Sequence, residues 1–73
     1  MPRNPEPTMS NQVRALRSTR DGMTQQNLAD RIGVTRQTIV ALEGGGYTPS
    51  LALALRIARV FDKTVEEVFW LEE

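Results

Sequence analysis

The sequence contains no cysteine and no histidine among its 73 residues, and it has only four aromatic residues. Without cysteine, disulfide bonds and thiolate zinc sites are excluded, and a reducing cytoplasm is the simplest location. The most common general base, thiol nucleophile and zinc ligands are therefore missing, and no glycine-rich phosphate loop follows a strand pattern. We expect neither an enzyme nor a bound metal ion or other cofactor.

Long apolar segments are absent as well. The longest apolar run is far shorter than the ~20 residues that a membrane-spanning helix needs, and residues 1–10 lack the apolar centre of a signal peptide. We therefore expect no membrane insertion. A chain of this length forms one small domain near the lower limit for a single hydrophobic core, so self-association is the remaining source of extra stability.

The net charge is zero, which argues mildly against a nucleic-acid partner because such proteins are usually basic. However, residues 1–61 contain eight arginines and four acidic residues, whereas residues 62–73 contain one lysine and five acidic residues. The first part can face phosphate groups, and the acidic end should face away from them.

Residues 24–45 contain two short helical patterns separated by Gly33. Thr24 and Thr35 can cap the two helices, and Gly33 can adopt the positive φ that ends the first one. The apolar residues recur at helical spacing, and they are Leu28, Ala29, Ile32, Ile39 and Leu42. The pattern predicts a helix, a tight turn and a second helix.

These residues carry a family resemblance. The run Gln25-x-x-Leu28-Ala29-x-x-Ile32-Gly33-Val34-x-Arg36-Gln37-Thr38-Ile39-x-x-Leu42-Glu43-x-Gly45 resembles the Cro/cI type of helix-turn-helix, also called the XRE family. The likeness continues through Tyr47-x-Pro49-Ser50-Leu51 and Ile57-Ala58-x-x-Phe61, and it covers nearly the whole chain. The chain most resembles the short stand-alone repressors of that family, such as the cytolysin repressor type.

The resemblance implies an all-α, lambda repressor-like DNA-binding domain of five helices. We predict a flexible arm over residues 1–8, in which Arg3 could alternatively reach a minor groove, and a DNA-binding and dimerisation domain over residues 9–73. The first helix is expected over residues 11–20. In the short relatives the two ends can pair as a small β ribbon, which residues 9–11 and 69–71 could form here.

Helix starts and ends give further expectations from the residues alone. Thr48 or Ser50 is expected to cap the fourth helix, with Pro49 near its first position. The fifth helix should begin with the capping box Thr64-x-x-Glu67.

The outward face of the second helix of the motif is suited to a DNA major groove. Arginine pairs with guanine and glutamine with adenine, and the residues expected to read bases are Arg36, Gln37, Val40 and Ala41. The residues expected to contact phosphates are Thr24, Gln25, Thr35, Thr38, Tyr47 and Thr48. The alternative is that these side chains are ordinary solvated residues, and that Tyr47 packs its ring on the domain.

The resemblance also implies a structural ion pair between Arg17 and Glu43. A charged glutamate at the close of an apolar pattern needs a partner that can satisfy it. Arg14 is the alternative partner for Glu43, and two solvated charges are the remaining interpretation.

A symmetric dimer interface is expected at the carboxyl end. Projected on a helical wheel, the fourth helix has an apolar arc of about 220°, which is wider than one core requires. We expect the surplus to form an interface, and its residues are Leu53, Val60, Val65, Phe69, Trp70 and Leu71. The alternative is a monomer in which Trp70 packs against its own first helix.

Together these features predict a cytoplasmic, nucleoid-associated regulator that binds double-stranded DNA. We expect a homodimeric repressor on a palindromic operator, without a domain for a small-molecule effector. The alternative is an antitoxin-like or adaptor module that acts through protein contacts. The zero net charge and the three consecutive glycines at 44–46 favour it, whereas Gln25, Arg36 and Gln37 count against it.

Overall fold

The computed structural model describes residues 8–72 and contains five helices and a two-stranded antiparallel sheet. In chain order the elements are β1 (Thr8–Asn11), α1 (Val13–Ser18), α2 (Gln25–Ile32), α3 (Arg36–Glu43), α4 (Leu51–Val60), α5 (Val65–Val68) and β2 (Phe69–Glu72). This confirms the predicted fold class. None of the helices within the described range is long and apolar enough to cross a membrane.

The turn between α2 and α3 has the predicted form. Gly33 ends α2 with a φ of 76°, and the N–H groups of Gly33 and Val34 both donate to the carbonyl of Ala29, at 2.9 and 3.0 Å. Ala29 is fully buried. Thr35 follows as the cap of α3, because its hydroxyl accepts from the Thr38 N–H. Only three residues therefore separate the two helices, and their relative orientation is fixed locally.

One hydrophobic core lies between the helices and under the ribbon. Each large side chain that is fully buried stabilises the fold by roughly 1.5 to 3 kcal/mol relative to exposure. The core consists of Val13, Met23, Leu28, Ala29, Ile32, Ile39, Leu42, Leu53, Ala54, Ile57, Ala58, Phe61, Val68 and Phe69. α3 contributes only Ile39 and Leu42 to it, so most of the surface of α3 remains available for contacts outside the domain.

The β ribbon joins the amino-terminal and carboxyl-terminal segments of the domain. Thr8–Asn11 pairs with Phe69–Glu72, with Met9 opposite Leu71 and Ser10 opposite Trp70. The ribbon predicted from the resemblance is therefore present and is one residue longer on each strand. Thr8 belongs to β1 rather than to the predicted arm, because its register partner is Glu72. The rest of the arm, including Arg3, lies outside the described residues.

The first helix is shorter than predicted at both ends, since it spans Val13–Ser18 rather than residues 11–20. Asn11 is the last residue of β1, and its side chain joins two elements. Its Oδ1 accepts from the Val13 N–H at 3.1 Å, and its Nδ2 donates to the Leu42 carbonyl at 3.0 Å. Asn11 therefore connects the ribbon, the start of α1 and the last turn of α3.

The other helix boundaries refine the sequence expectations. Ser50, and not Thr48, caps α4, so Pro49 precedes the cap instead of occupying the first turn. The capping box of Thr64 and Glu67 is present, but α5 is a single turn. Phe69 is the first residue of β2, so α5 does not extend to it.

Arg17 and Glu43 form the ion pair that the family resemblance implied. Arg17 Nε lies 2.6 Å from Glu43 Oε2, and Arg17 Nη2 lies 2.9 Å from Glu43 Oε1. Arg17 Nη1 also donates to the Met23 carbonyl at 3.0 Å. The side chains are only 14% and 5% exposed. One guanidinium thus holds α1, the segment that leads into α2, and the last residue of α3.

The environment of this pair keeps both groups charged. Burial alone would raise the pKa of Glu43, but hydrogen bonds from Arg17 and Gln25 and the charges of Arg17 and Arg14 outweigh it, so this pKa lies below its ordinary value. The hydrogen bond to Glu43 raises the pKa of Arg17.

The Asn11 contacts give a first prediction. Asn11→Ala removes both hydrogen bonds and should lower the free energy of unfolding by about 1 to 2 kcal/mol, which thermal denaturation would show as a loss of several degrees in Tm. Asn11→Asp keeps the acceptor for the Val13 N–H and loses the donor to Leu42, so it isolates the contact with α3. A wild-type Tm for both variants would contradict the role of Asn11.

The lowered pKa of Glu43 gives a second prediction. Because the folded state binds this proton more weakly, the stabilisation is present above the ordinary pKa of 4.5 and is lost as the pH falls through the folded pKa. Glu43→Gln should be clearly less stable than wild type at pH 7, and this difference in the free energy of unfolding should narrow as the pH falls below 4.5. Urea unfolding across this range measures the difference. Glu67 also has a pKa lowered by hydrogen bonds from Thr64. It is present in both wild type and Glu43→Gln, so its contribution cancels from the difference. A difference in unfolding free energy between wild type and Glu43→Gln that stays constant over this pH range would contradict the prediction.

Candidate nucleic-acid interface

α3 exposes a polar and aliphatic stripe that starts at its amino end. Arg36 and Gln37 follow the cap directly and are exposed. Val40 is 45% exposed and Ala41 is half-buried, and each lies one turn beyond a residue of the first pair. The four residues predicted to read bases therefore form one continuous stripe on α3.

Gln25 is the first residue of α2 and is half-buried. Its Nε2 donates to Glu43 Oε1 at 3.2 Å, so the side chain leans toward the end of α3. The predicted phosphate contact thus belongs to the same hydrogen-bond network as the ion pair. Sequence analysis did not find this contact, because nothing in the local pattern shows that residues 25 and 43 meet.

Two shallow depressions connect α2 with the α3 stripe. One is bordered by Gln25, Gln26 and Arg36, and the other by Arg14, Gln25 and Val40. Gln25 lies between them. The structure therefore brings together a predicted phosphate contact, Gln25, and two predicted base-reading residues, Arg36 and Val40, on one side of the domain.

The hydroxyl groups predicted to contact phosphate are placed in three ways. The hydroxyls of Thr24 and Thr35 accept from the N–H groups three residues later, at 3.0 and 3.4 Å, and so act as helix caps. Thr38 Oγ1 lies 3.2 Å from Thr35 Oγ1. Tyr47, which is 42% exposed, and Thr48 lie between α3 and α4 and border neither depression.

Arg14 is a candidate contact that sequence analysis considered only as a partner for Glu43. It is exposed, it borders the depression shared with Gln25 and Val40, and its charge contributes to the lowered pKa of Glu43. The spacing of three residues from Arg17 on one helix was the available signal, because it places both arginines on the same side of α1.

Several arginines also donate hydrogen bonds that support the fold. Besides Arg17, Arg20 donates from Nη2 to the Phe61 carbonyl at 2.6 Å and lies 5.9 Å from the centre of the Phe61 ring. Arg56 Nη1 donates to the Ile32 carbonyl at 3.4 Å. Because a carbonyl is neutral, these two hydrogen bonds do not reduce the basic excess counted from the sequence, and both side chains remain exposed.

The predicted dimer interface needs a correction. Leu53 and Phe69 are each only 6% exposed because they belong to the core, and Val60 and Val65 are half-buried against it. The core-facing stripe of α4 includes Leu53, so the surplus apolar edge is the opposite one. Its exposed residues are Leu51 and Leu55.

The carboxyl-terminal strand keeps two exposed apolar residues. Trp70 is 40% exposed and Leu71 is 49% exposed. The indole N–H of Trp70 donates to Glu72 on the same strand at 3.0 Å. Of the six residues predicted for the interface, these two offer the most surface.

Comparisons with known proteins agree with this architecture. A helix-turn-helix family model matches residues 13–68. A Bacillus subtilis protein named "Uncharacterized HTH-type transcriptional regulator YgzD" is 52% identical over 65 residues, which cover 89% of this chain and 97% of that protein. A Methanothermobacter thermautotrophicus protein with the same description but no individual name is 58% identical over 53 residues, or 71% of this chain and 77% of its own length.

A solved structure supports the fold independently. The crystal structure of "a putative DNA-binding protein from Bacteroides fragilis" superposes with a TM-score of 0.75 at 19% identity, covering 85% of this chain and 98% of that one. At this identity the likeness concerns the fold alone. The family match over most of the chain, together with the capped α2, the Gly33 turn and the exposed stripe of α3, shows that this chain belongs to the helix-turn-helix family.

Proposed function

We propose that this protein regulates transcription by binding a palindromic operator in double-stranded DNA as a homodimer. The observation that carries the proposal is the position of Gln25 beside Arg36 and Val40, two members of the exposed α3 stripe. A phosphate contact and base-reading side chains on one surface are what major-groove recognition by a helix-turn-helix requires. Membership of the family and the names of its relatives support DNA-binding regulation.

In this arrangement the amino end of α3 enters the major groove. Arg36 and Gln37 reach base edges, while Val40 and Ala41 offer small apolar surfaces to thymine methyl groups. Gln25 donates to a backbone phosphate at the start of α2. By position, the N–H groups of Gln25 and Gln26 have no acceptor within their helix, so they and the helix dipole favour the same anion.

A second copy would supply the second half of the binding site. Trp70 and Leu71 lie on β2, which has a strand partner on only one edge within the described residues. An exposed edge with apolar side chains favours pairing with another chain. We propose that the β2 strands of two protomers meet about a twofold axis, which would present the two α3 tips to half-sites about 10 bp apart.

Repression is the simplest action for such a dimer. A small protein that occupies a promoter can exclude the transcription machinery without any further contact. We propose that the protein acts in the cytoplasm, associated with the nucleoid.

Two substitutions distinguish base reading from backbone contact. Arg36→Ala should relax the preference at one base pair in each half-site, at a cost of about 1 to 3 kcal/mol against the preferred base. Gln25→Ala should weaken binding to all sequences alike. Gel-shift titrations against a panel of single-base operator variants measure both effects, with Gln26→Ala as a control for an exposed glutamine. A uniform loss of affinity in both variants would contradict the assignment of roles.

The dimer is tested by its mass in solution. Sedimentation at micromolar concentration should show a dimer for the wild type and a shift toward the protomer for Trp70→Ser combined with Leu71→Ser. Leu51→Ser, which removes an exposed leucine from α4, is the matched control and should leave the dimer intact. The interface proposal fails if the wild type sediments as a single protomer, or if only the α4 variant dissociates.

A further inference from the structure

The geometry points to Glu43 as a positioning residue for the DNA backbone contact made by Gln25, in addition to its place in the ion pair. Glu43 Oε1 accepts two hydrogen bonds, from Arg17 Nη2 at 2.9 Å and from Gln25 Nε2 at 3.2 Å. The Glu43 side chain is 5% exposed, so water can replace these donors only to a small extent. The inference rests on the proposed role of Gln25 at a phosphate.

A carboxylate selects one orientation of the Gln25 amide. Glutamine carries an acceptor oxygen and a nitrogen with two N–H donors, and an ionised carboxylate can only accept. The Nε2 end of the amide must therefore face Glu43, because the reversed amide would place its oxygen against a negative charge. One N–H of Gln25 Nε2 donates to Glu43, and the second N–H of the same nitrogen remains available to another acceptor. A phosphate also only accepts, so the selected orientation is the one that keeps a donor for it.

The charge of Glu43 would otherwise oppose DNA binding. Arg17 Nε and Nη2 hold both carboxylate oxygens, and Arg14 adds a positive charge nearby. These cations offset the negative charge close to the proposed phosphate position. Glu43, the last residue of α3, can thus orient the side chain of Gln25, the first residue of α2, at a small electrostatic cost.

The stabilising role and the positioning role can be separated by substitution. Glu43→Gln leaves one carbonyl oxygen, which the charged fork of Arg17 should occupy in preference to the neutral amide of Gln25. Arg17→Lys weakens the ion pair but leaves the contact between Gln25 and Glu43. If both variants lose stability while only Glu43→Gln loses the orientation of Gln25, the two roles are distinct.

The decisive experiment is a double-mutant cycle in DNA affinity. Wild type, Glu43→Gln, Gln25→Met and the double variant are titrated with one operator duplex and one unrelated duplex, at a temperature where circular dichroism shows each protein to be folded. Glu43→Gln should weaken binding to both duplexes by about tenfold. In the Gln25→Met background the same change should have little further effect, because the group that Glu43 positions is gone.

A spectroscopic measurement on the free protein complements the cycle. The side-chain amide protons of Gln25 should give dispersed NMR signals in the wild type and in Arg17→Lys, and they should move to the positions of a solvated glutamine in Glu43→Gln. A purely structural role for Glu43 predicts the same change in both variants.

The outcomes distinguish this inference from the proposed function. If Gln25→Met weakens binding and Glu43→Gln weakens it by an equal factor in both backgrounds, Glu43 does not act through Gln25 and the inference is wrong. If Gln25→Met leaves affinity unchanged, the phosphate role of Gln25 is wrong and the inference fails with it. In that case the base-reading role of Arg36 still stands on its own test.

Discussion

The arrangement of the helices depends on one guanidinium. Arg17 uses Nε and Nη2 on Glu43 and Nη1 on the Met23 carbonyl, so it joins α1, the entry to α2 and the end of α3. A buried ion pair is weak evidence for stability, because desolvation offsets much of the attraction between its charges. Its effect here is geometric. A bidentate fork accepts a narrow range of carboxylate positions, and the end of α3 is therefore held in one place relative to α2.

The beginning and end of α3 are fixed by different elements. Thr35 caps the start and follows the Gly33 turn, while Asn11 binds the Leu42 carbonyl near the end. The ribbon, through Asn11, and the ion pair thus hold the same turn of α3 from two sides. Reading base edges requires side chains placed to within a fraction of an ångström. A helix of only eight residues has little stability of its own, so the proposed base reading would depend on these supports for its precision.

The sequence predicted what is determined locally. The caps of Thr24, Thr35 and Thr64 and the positive φ of Gly33 depend on residues within one turn of each other, so their patterns were sufficient. The prediction of which edge of α4 is exposed was wrong. Leu53 and Leu55 are both leucines, so the sequence alone does not show which of them is buried, and the packing of the other helices decides it. The contact between Gln25 and Glu43 also depends on long-range placement. The residues alone left Arg14 and Arg17 as alternatives for Glu43, and the family resemblance favoured Arg17.

The charge distribution explains how a chain with zero net charge can suit DNA. Arg17, Arg20 and Arg56 bind internal groups, and the acidic excess lies in residues 62–73. Among the exposed arginines, Arg36 belongs to the α3 stripe and Arg14 borders the depression next to it, while the other proposed phosphate donors are neutral amides and hydroxyls. Neutral donors displace few counterions, and each phosphate that a cation neutralises contributes about 0.9 to the logarithmic salt slope. In the proposed binding mode, non-specific affinity should therefore be weak, and the few proposed base contacts would carry most of the preference for an operator.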